Sequence, residues 1–283
     1  MPAPTTRKDT WKGRWYTAPN GEEYPSVTTI LSIVNKPALM NWAAKVEREM
    51  VMSVSADLYQ DVAETPRMSK MAWSTTLQTR LGKEKASKKL MDKASDIGSQ
   101  AHSLIEWNLK ASLMYEAGPS PHVTDKATWA FMAWEDWKKS VDLKPVYIEQ
   151  TVFSETYGYA GTMDLLAYVN GLLTVLDWKT GKAIYPEAYL QNAAYRHALR
   201  EMQHGDPVQG LIVRLPKLDT DPEFEVKECP PEKDCMEVFL NAKKLWEWSQ
   251  KNDTWKPAAE QNIEKTLTES LAQREGAAIP KRQ

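Results

Sequence analysis

Gly161-Thr162-Met163-Asp164-Leu165-Leu166-Ala167-Tyr168-Val169-Asn170-Gly171-Leu172-Leu173-Thr174-Val175-Leu176-Asp177-Trp178-Lys179 is the stretch on which the fold turns. Two strand-like runs flank Asn170-Gly171, the pair preferred in two-residue type I′ hairpin turns because both positions need positive φ. Such a turn fixes the register. With Val169 facing Leu172, counting back sets Leu166 opposite Val175 and Asp164 directly opposite Asp177. Alternation then places both carboxylates on one face and brings Lys179, two residues past Asp177, to the same side. Like charges opposed across a ladder destabilise it, so this pairing demands compensation. A divalent cation between the two aspartates would supply it, and oxygen ligands suit magnesium or manganese. Further along that face, Leu166 with Val175 and Tyr168 with Leu173 read as core. A hairpin edge carrying surface charges is the plainer account of any single Asp-x-Lys; here turn register, strand parity and like-charge pairing converge.

Outward from the hairpin, Val146–Phe153 alternates as a preceding strand, and Pro186 starts a helix to about Met202, proline being suited to the first helical position. A strand at Gln209–Leu215 and a helix over about Pro231–Lys251 follow. Before the hairpin the pattern is helical: about Pro37–Met52, then Ala72–Leu113 with breaks near Gly82 and Gly98, then Asp125–Ser140. Pro25-Ser26-Val27-Thr28-Thr29-Ile30-Leu31 reads as a turn entering an apolar run. The expected organisation is one domain over residues 11–257, mainly helical to 144 and carrying the sheet with its flanking helices from 145, between mobile tails at 1–10 and 258–283.

Composition narrows the function. At 283 residues with 42% hydrophobic content the chain can bury a sizeable core. It has no apolar run of membrane-spanning length and no secretory h-region at its start, so an intracellular, cytoplasmic protein without a membrane partner is expected. Its 2 cysteines exclude a four-cysteine iron–sulfur cluster and a disulfide framework. A formal net charge of -2 gives no global attraction to nucleic acid, so DNA binding must use local basic surface. The 12 tryptophans read mostly as core.

Gly161-Thr162-Met163-Asp164, then Leu176-Asp177-Trp178-Lys179-Thr180-Gly181, then Gln191 with Tyr195 resemble, in order and spacing, the motifs of the PD-(D/E)XK nuclease superfamily. The likeness spans roughly residues 24–215 and is greatest to the RecB-type exonuclease branch, in particular mitochondrial genome maintenance exonucleases and phage-encoded relatives. Met163 stands where many members have proline. No Gly-x-x-x-x-Gly-Lys-[Ser/Thr] loop is present, so no helicase motor is fused to it. The resemblance implies an α/β fold, with a restriction-endonuclease-like αβββαβ core, a mixed central sheet and an N-terminal helical extension. It also implies a DNA exonuclease using one or two Mg2+ or Mn2+ ions, without an iron–sulfur cluster. The implied substrate is single-stranded DNA with free ends, in recombination, repair or replication, with a recombination or replication protein as a further partner. A duplex-end phage recombination exonuclease or a structure-selective endonuclease would share every motif, and a non-cleaving DNA-binding protein on this scaffold is the reading from another class.

Further site residues rest on this likeness. His102 and Glu106, four apart on a helix, share a face, and Gly98 one turn earlier leaves room for close approach. The resemblance makes His102 a metal ligand beside Asp164, Asp177 and the Trp178 carbonyl; Lys179 positions the nucleophile. Glu149 on the first strand, sharing a face with Thr151 and Phe153, would approach the metal. Gln191 and Tyr195, again four apart, would position the DNA backbone and the catalytic strand. Arg80, Lys83, Lys85, Lys88, Lys89 and Lys93 outnumber Glu84, Asp92 and Asp96 in one stretch and are candidate phosphate contacts, with Arg214, Lys217, Lys281 and Arg282 weaker ones. A solvated helical face is the commoner explanation of such a run.

Overall fold

The structure, a computed structural model, describes residues 6–34, 36–62, 69–113, 117–218 and 221–252. In chain order the elements are β1 (Thr6–Thr10), β2 (Gly13–Thr17), β3 (Glu23–Pro25), α1 (Val27–Leu31), α2 (Pro37–Val62), α3 (Lys70–Leu81), α4 (Ala86–Ser112) and α5 (Asp125–Lys139). There follow β4 (Leu143–Ser154), β5 (Tyr159–Val169), β6 (Leu172–Lys179), α6 (Pro186–Glu201), β7 (Gln209–Arg214), β8 (Glu225–Glu228) and α7 (Glu232–Asn252). Strands β4 to β8 form one mixed sheet in sequential order, antiparallel except where β7 lies parallel to β6. The parallel step requires the α6 crossover, which packs back onto the sheet.

The β5–β6 turn adopts the expected conformation, with φ of 49° at Asn170 and 86° at Gly171. The ladder runs Val169↔Leu172 through Leu165↔Leu176, which is the register counted from the turn. It stops there, one pair short of the aspartates. β6 goes on pairing with β7 as far as Lys179↔Arg214, while β5 leaves β6 and stays with β4. The two strands therefore part where the acidic residues begin.

Both sheet faces are covered. On one, Leu166, Val175 and Met163 pack with Ala194, Tyr195 and Ala198 of α6 and with Phe239 of α7. On the other, Leu165, Ala167, Leu176 and Trp178 pack with Ile105 of α4 and Trp134 of α5, the two indoles meeting edge to face at 6.0 Å. Tyr168, expected in the core, is 44% exposed, although Ala167 and Val169 on either side of it are buried under α4 and α5. Trp134, Trp178 and Trp246 are buried as expected, whereas Trp11 and Trp248 lie on the surface.

The N-terminal part differs most from expectation. Residues 6–10, expected in a mobile tail, form β1 and pair with β2 in a hairpin whose tip is Trp11-Lys12; β3 completes a second, three-stranded sheet. Residues 253–283, which include the expected tail, Lys281 and Arg282, lie outside the described residues. The short polar edge strand β8 also went unexpected. α4 runs straight through Gly98, where a break was expected, while Gly82 ends α3 at φ 73°. Ser26 caps α1, accepting from the Thr29 amide at 3.0 Å.

α2 packs on α3 and on α4, and among the described side chains of α2 and α3 only Leu58 is buried. Lys85, the N-cap of α4, makes no side-chain cap bond; Glu47 of α2 substitutes, accepting from Ser87 N at 2.9 Å, Ser87 Oγ at 2.7 Å and Ala86 N at 3.3 Å. These bonds hold the Glu47 carboxyl below its usual range. Glu47→Ala removes a cap contributed by another helix, so amide exchange at Ala86 and Ser87 should quicken by roughly fivefold or more. Hydrogen exchange read by mass spectrometry checks this, and protection unchanged at the start of α4 would show that Glu47 does not hold it. No helix among the described residues is long and apolar enough to cross a membrane.

Candidate metal centre and active site

Where β5 and β6 part, a cleft of about 580 Å³ opens between the sheet, α4 and the β1–β2 hairpin. Its walls carry His102, Glu149, Asp164, Asp177, Trp178, Lys179, Gln191 and Tyr195, every site residue expected from the sequence. Glu106 lines the cleft too, but its carboxylate is paired with Lys110 one turn on at 2.5 Å.

Asp164 sits at a slip in the alternation. Met163 and Leu166, three apart and thus of opposite parity, both join the core beneath α6, so the strand reverses its faces between them. Asp164 is turned into the gap: one oxygen accepts the Trp178 amide at 2.7 Å and the other lies 3.5 Å from His102 Nδ1. On β4 a matching irregularity falls at Glu149. Tyr147 and Val152, also of opposite parity, pack under α6, and Glu149 between them has φ 49°. The expected shared face with Thr151 and Phe153 is therefore broken. The β4–β5 ladder pairs Ile148↔Leu165 and Gln150↔Met163 but omits Glu149 and Asp164 between them. A glutamate in left-handed backbone costs about 1–3 kcal/mol, and such strain persists where surrounding structure enforces it.

One ligand atom from each of His102, Glu149 and Asp164 lies within 4.8 Å of the others. His102 reaches this position because α4 approaches the end of β6 closely. A Cβ at Gly98 would fall 2.9 Å from Thr180 Oγ1. Asp177 lies deeper, 1% exposed, and contacts the Lys179 ammonium at 2.5 Å. Neither Asp177 oxygen otherwise finds a hydrogen-bond partner among the described residues. Lys179 in turn donates to Gln191 Oε1 at 3.2 Å, and Gln191 Nε2 donates to the Tyr195 hydroxyl at 3.0 Å. The ring of Tyr195 crosses β5 at Gly161, where a Cβ would meet it at 2.5 Å.

The electrostatics follow from this crowding. Burial, reinforced by the Asp164 charge, pushes the Glu149 carboxyl up to about 8. Burial pushes Asp177 up to about 6, against the pull of Lys179 and with the help of Asp164. For Asp164 burial acts the same way, but His102, Lys179 and the Trp178 amide outweigh it and hold the carboxyl below its usual value. Burial disfavours charge on His102 and Lys179, yet Asp164 raises the first, and Asp177 with Asp164 raises the second. Three carboxylates and an imidazole, one carboxylate buried and unsatisfied, are a donor set that fits a divalent cation.

Some residues of the cleft escaped the sequence reading. Arg7 and Arg14 line it from the β1–β2 hairpin, both bonded to Asp9. Their signal is the strand alternation on either side of Trp11-Lys12-Gly13, of which the first half falls in the expected tail and the second in a part expected to be mainly helical. Arg214, a weak phosphate candidate, is instead buried and engaged by Glu225 and the carbonyls of Pro222 and Glu223. Lys88 is paired with Glu84 and Asp92, whereas Lys83, Lys85, Lys89 and Lys93 are exposed.

A family model described as the PD-(D/E)XK nuclease superfamily matches residues 64–283. Among solved structures, a candidate exonuclease from Eubacterium rectale matches at 15% identity and a TM-score of 0.41, covering 66% of this chain and 76% of its own. The protein SSO0001 matches at 11% identity and a TM-score of 0.24, covering 53% of this chain and 74% of its own. Both likenesses are too distant to bear on activity. No curated protein sequence matches.

Proposed function

The chain belongs to the PD-(D/E)XK nuclease superfamily, and on that premise we propose that it is a DNA exonuclease of the RecB-type branch, acting from free single-stranded ends in recombination, repair or replication. One observation carries the catalytic part of this reading. His102, Glu149 and Asp164 converge within 4.8 Å beside a buried Asp177 whose only ionic contact in that cluster is Lys179.

In this reading His102, Glu149, Asp164, Asp177 and the Trp178 carbonyl hold Mg2+ or Mn2+. Such an ion, when bound, polarises the scissile phosphate and supplies hydroxide near neutral pH. Lys179, steadied by Asp177 and Gln191, faces the attacking water and the phosphate oxygen. Asp177 holds the ammonium on one side and Gln191, itself bonded to Tyr195, on the other, so the helix that crosses between β6 and β7 helps set the direction of Lys179. Arg7 and Arg14 at the rim supply the positive charge that the net composition lacks, gripping the phosphates that flank the cut.

Linear single-stranded DNA should be degraded with Mn2+ or Mg2+ and spared in EDTA, while a circular strand of the same sequence stays intact. Cutting of the circle would replace the exonuclease reading with an endonuclease one. Absence of cleavage with every divalent ion tried would favour the non-cleaving, DNA-binding alternative.

A further inference from the structure

Beside the polar cleft lies a second cavity, of about 690 Å³, between the α1–α2 junction and the start of α6. The two share Thr28, Lys179, Gly181 and Gln191, so they are continuous at the catalytic lysine. Their linings differ in kind. The second is walled by Leu31, Val34, Leu39, Met40, Ala183 and Tyr185. Of these, Leu39, Met40 and Tyr185 are 41%, 65% and 50% exposed, an apolar cluster open to solvent next to a site for phosphate. The charged pair at its edge, Lys36 with Glu187 at 2.6 Å, cancels itself.

A phosphate gains nothing from such a wall, but the base attached to it does. A planar apolar face with an adjacent aromatic ring is what an unstacked nucleobase requires, and stacking of this kind tolerates any base sequence. Building on the nuclease reading above, we infer that this cavity receives one unpaired nucleobase of the strand being cut, next to the scissile phosphate, with Tyr185 as its stacking partner. A base still paired and stacked in a duplex cannot enter, so the cavity makes single-strandedness at the cut a structural requirement. Preference for single strands thereby acquires residues of its own: Tyr185, Met40 and Leu39.

Tyr185 suits a test because it precedes α6 without any side-chain cap bond, and its ring is half exposed. Tyr185→Ala therefore leaves the helix start intact. In EDTA, where no cleavage interferes, wild-type protein is titrated into a single-stranded oligonucleotide containing a fluorescent purine analogue. A change in its emission is expected with wild type and with Tyr185→Phe, and none with Tyr185→Ala, whose affinity should fall by about tenfold or more. A Leu39→Ser, Met40→Ser double variant should behave like Tyr185→Ala. With Mn2+, a strand of abasic residues should be cut by wild type no faster than the normal strand is cut by Tyr185→Ala. Equal binding and cutting by wild type and variants, or equal cutting of abasic and normal strands, would overturn the base pocket while leaving the nuclease reading intact. A wild-type emission change without cleavage under any metal would do the reverse.

Discussion

Lys179→Ala should lower kcat on linear single-stranded DNA by about 10²–10³-fold with little change in KM, the loss typical when one preorganised donor to a developing charge is removed. Lys179 is clamped by Asp177 at 2.5 Å and Gln191 at 3.2 Å, so its ammonium is aimed before substrate arrives. Asp177→Ala should be at least as damaging, because it removes a cation ligand and the partner that aims the lysine. Groups acting as one unit lose activity together, so the double variant should fall no further than the worse single one. Additive losses would mean that the two act separately.

Stability separates the same variants in another order. Lys179→Ala leaves a carboxylate that is 1% exposed without its counter-charge, whereas Asp177→Ala strands an ammonium that is 31% exposed and can turn to water. In metal-free protein the melting temperature of Lys179→Ala should therefore lie below that of Asp177→Ala. The reverse order would show that the ion pair is not the partner that compensates the buried charge.

The hairpin was legible because Asn170-Gly171 dictates backbone and register together, and α6 because proline and apolar spacing mark it. The parts that were not legible share one cause: they depend on neighbours rather than on local pattern. Glu149 was placed by strict alternation, which cannot anticipate the left-handed backbone that reverses the faces of β4. Asp164 and Asp177 were paired face to face, but the ladder ends one step earlier and the carboxylates diverge, one to His102 and one to Lys179. Gly98 gives the room for close approach that its place one turn before His102 suggests, here to Thr180, but it does so without the expected break in the helix. β1 is so exposed that its polar composition resembles a tail, and Arg7 goes with it; β2 and Arg14 fall within the expected domain, but in a part expected to be mainly helical. Tyr168 follows from its place on the hairpin face, which does not say how far that face is covered, and Arg214 from its charge, which does not say which carbonyls need a donor.

Between about pH 5 and pH 8, the metal-free protein should lose stability as pH rises, opposite to the usual behaviour of paired carboxylates. Glu149 is pushed up to about 8 and Asp177 to about 6, and His102 is raised as well. For a group whose folded value exceeds its unfolded one, the stabilising contribution is complete below the unfolded pKa and disappears as pH climbs through the folded one. For Glu149 that window opens near its ordinary value of 4.5 and closes at about 8. Asp164 moves the other way, but its contribution is lost only below its ordinary 3.8, as are those of Glu47 and Glu201 below 4.5, so none of them offsets the slope at neutral pH. Lys179, raised above 10.5, titrates beyond the range. A loss of even about 1 kcal/mol shifts the melting temperature of a domain this size by roughly 2–4 °C. Mn2+ added near pH 8 should restore at least that much, because a cation neutralises the clustered carboxylates, and should do far less near pH 5, where protons already have. Glu149→Gln should flatten the metal-free slope and blunt the Mn2+ response. A wild-type melting temperature that rises with pH across this range, or one indifferent to Mn2+ at pH 8, would mean that the carboxylates gathered around His102 are not a cation site.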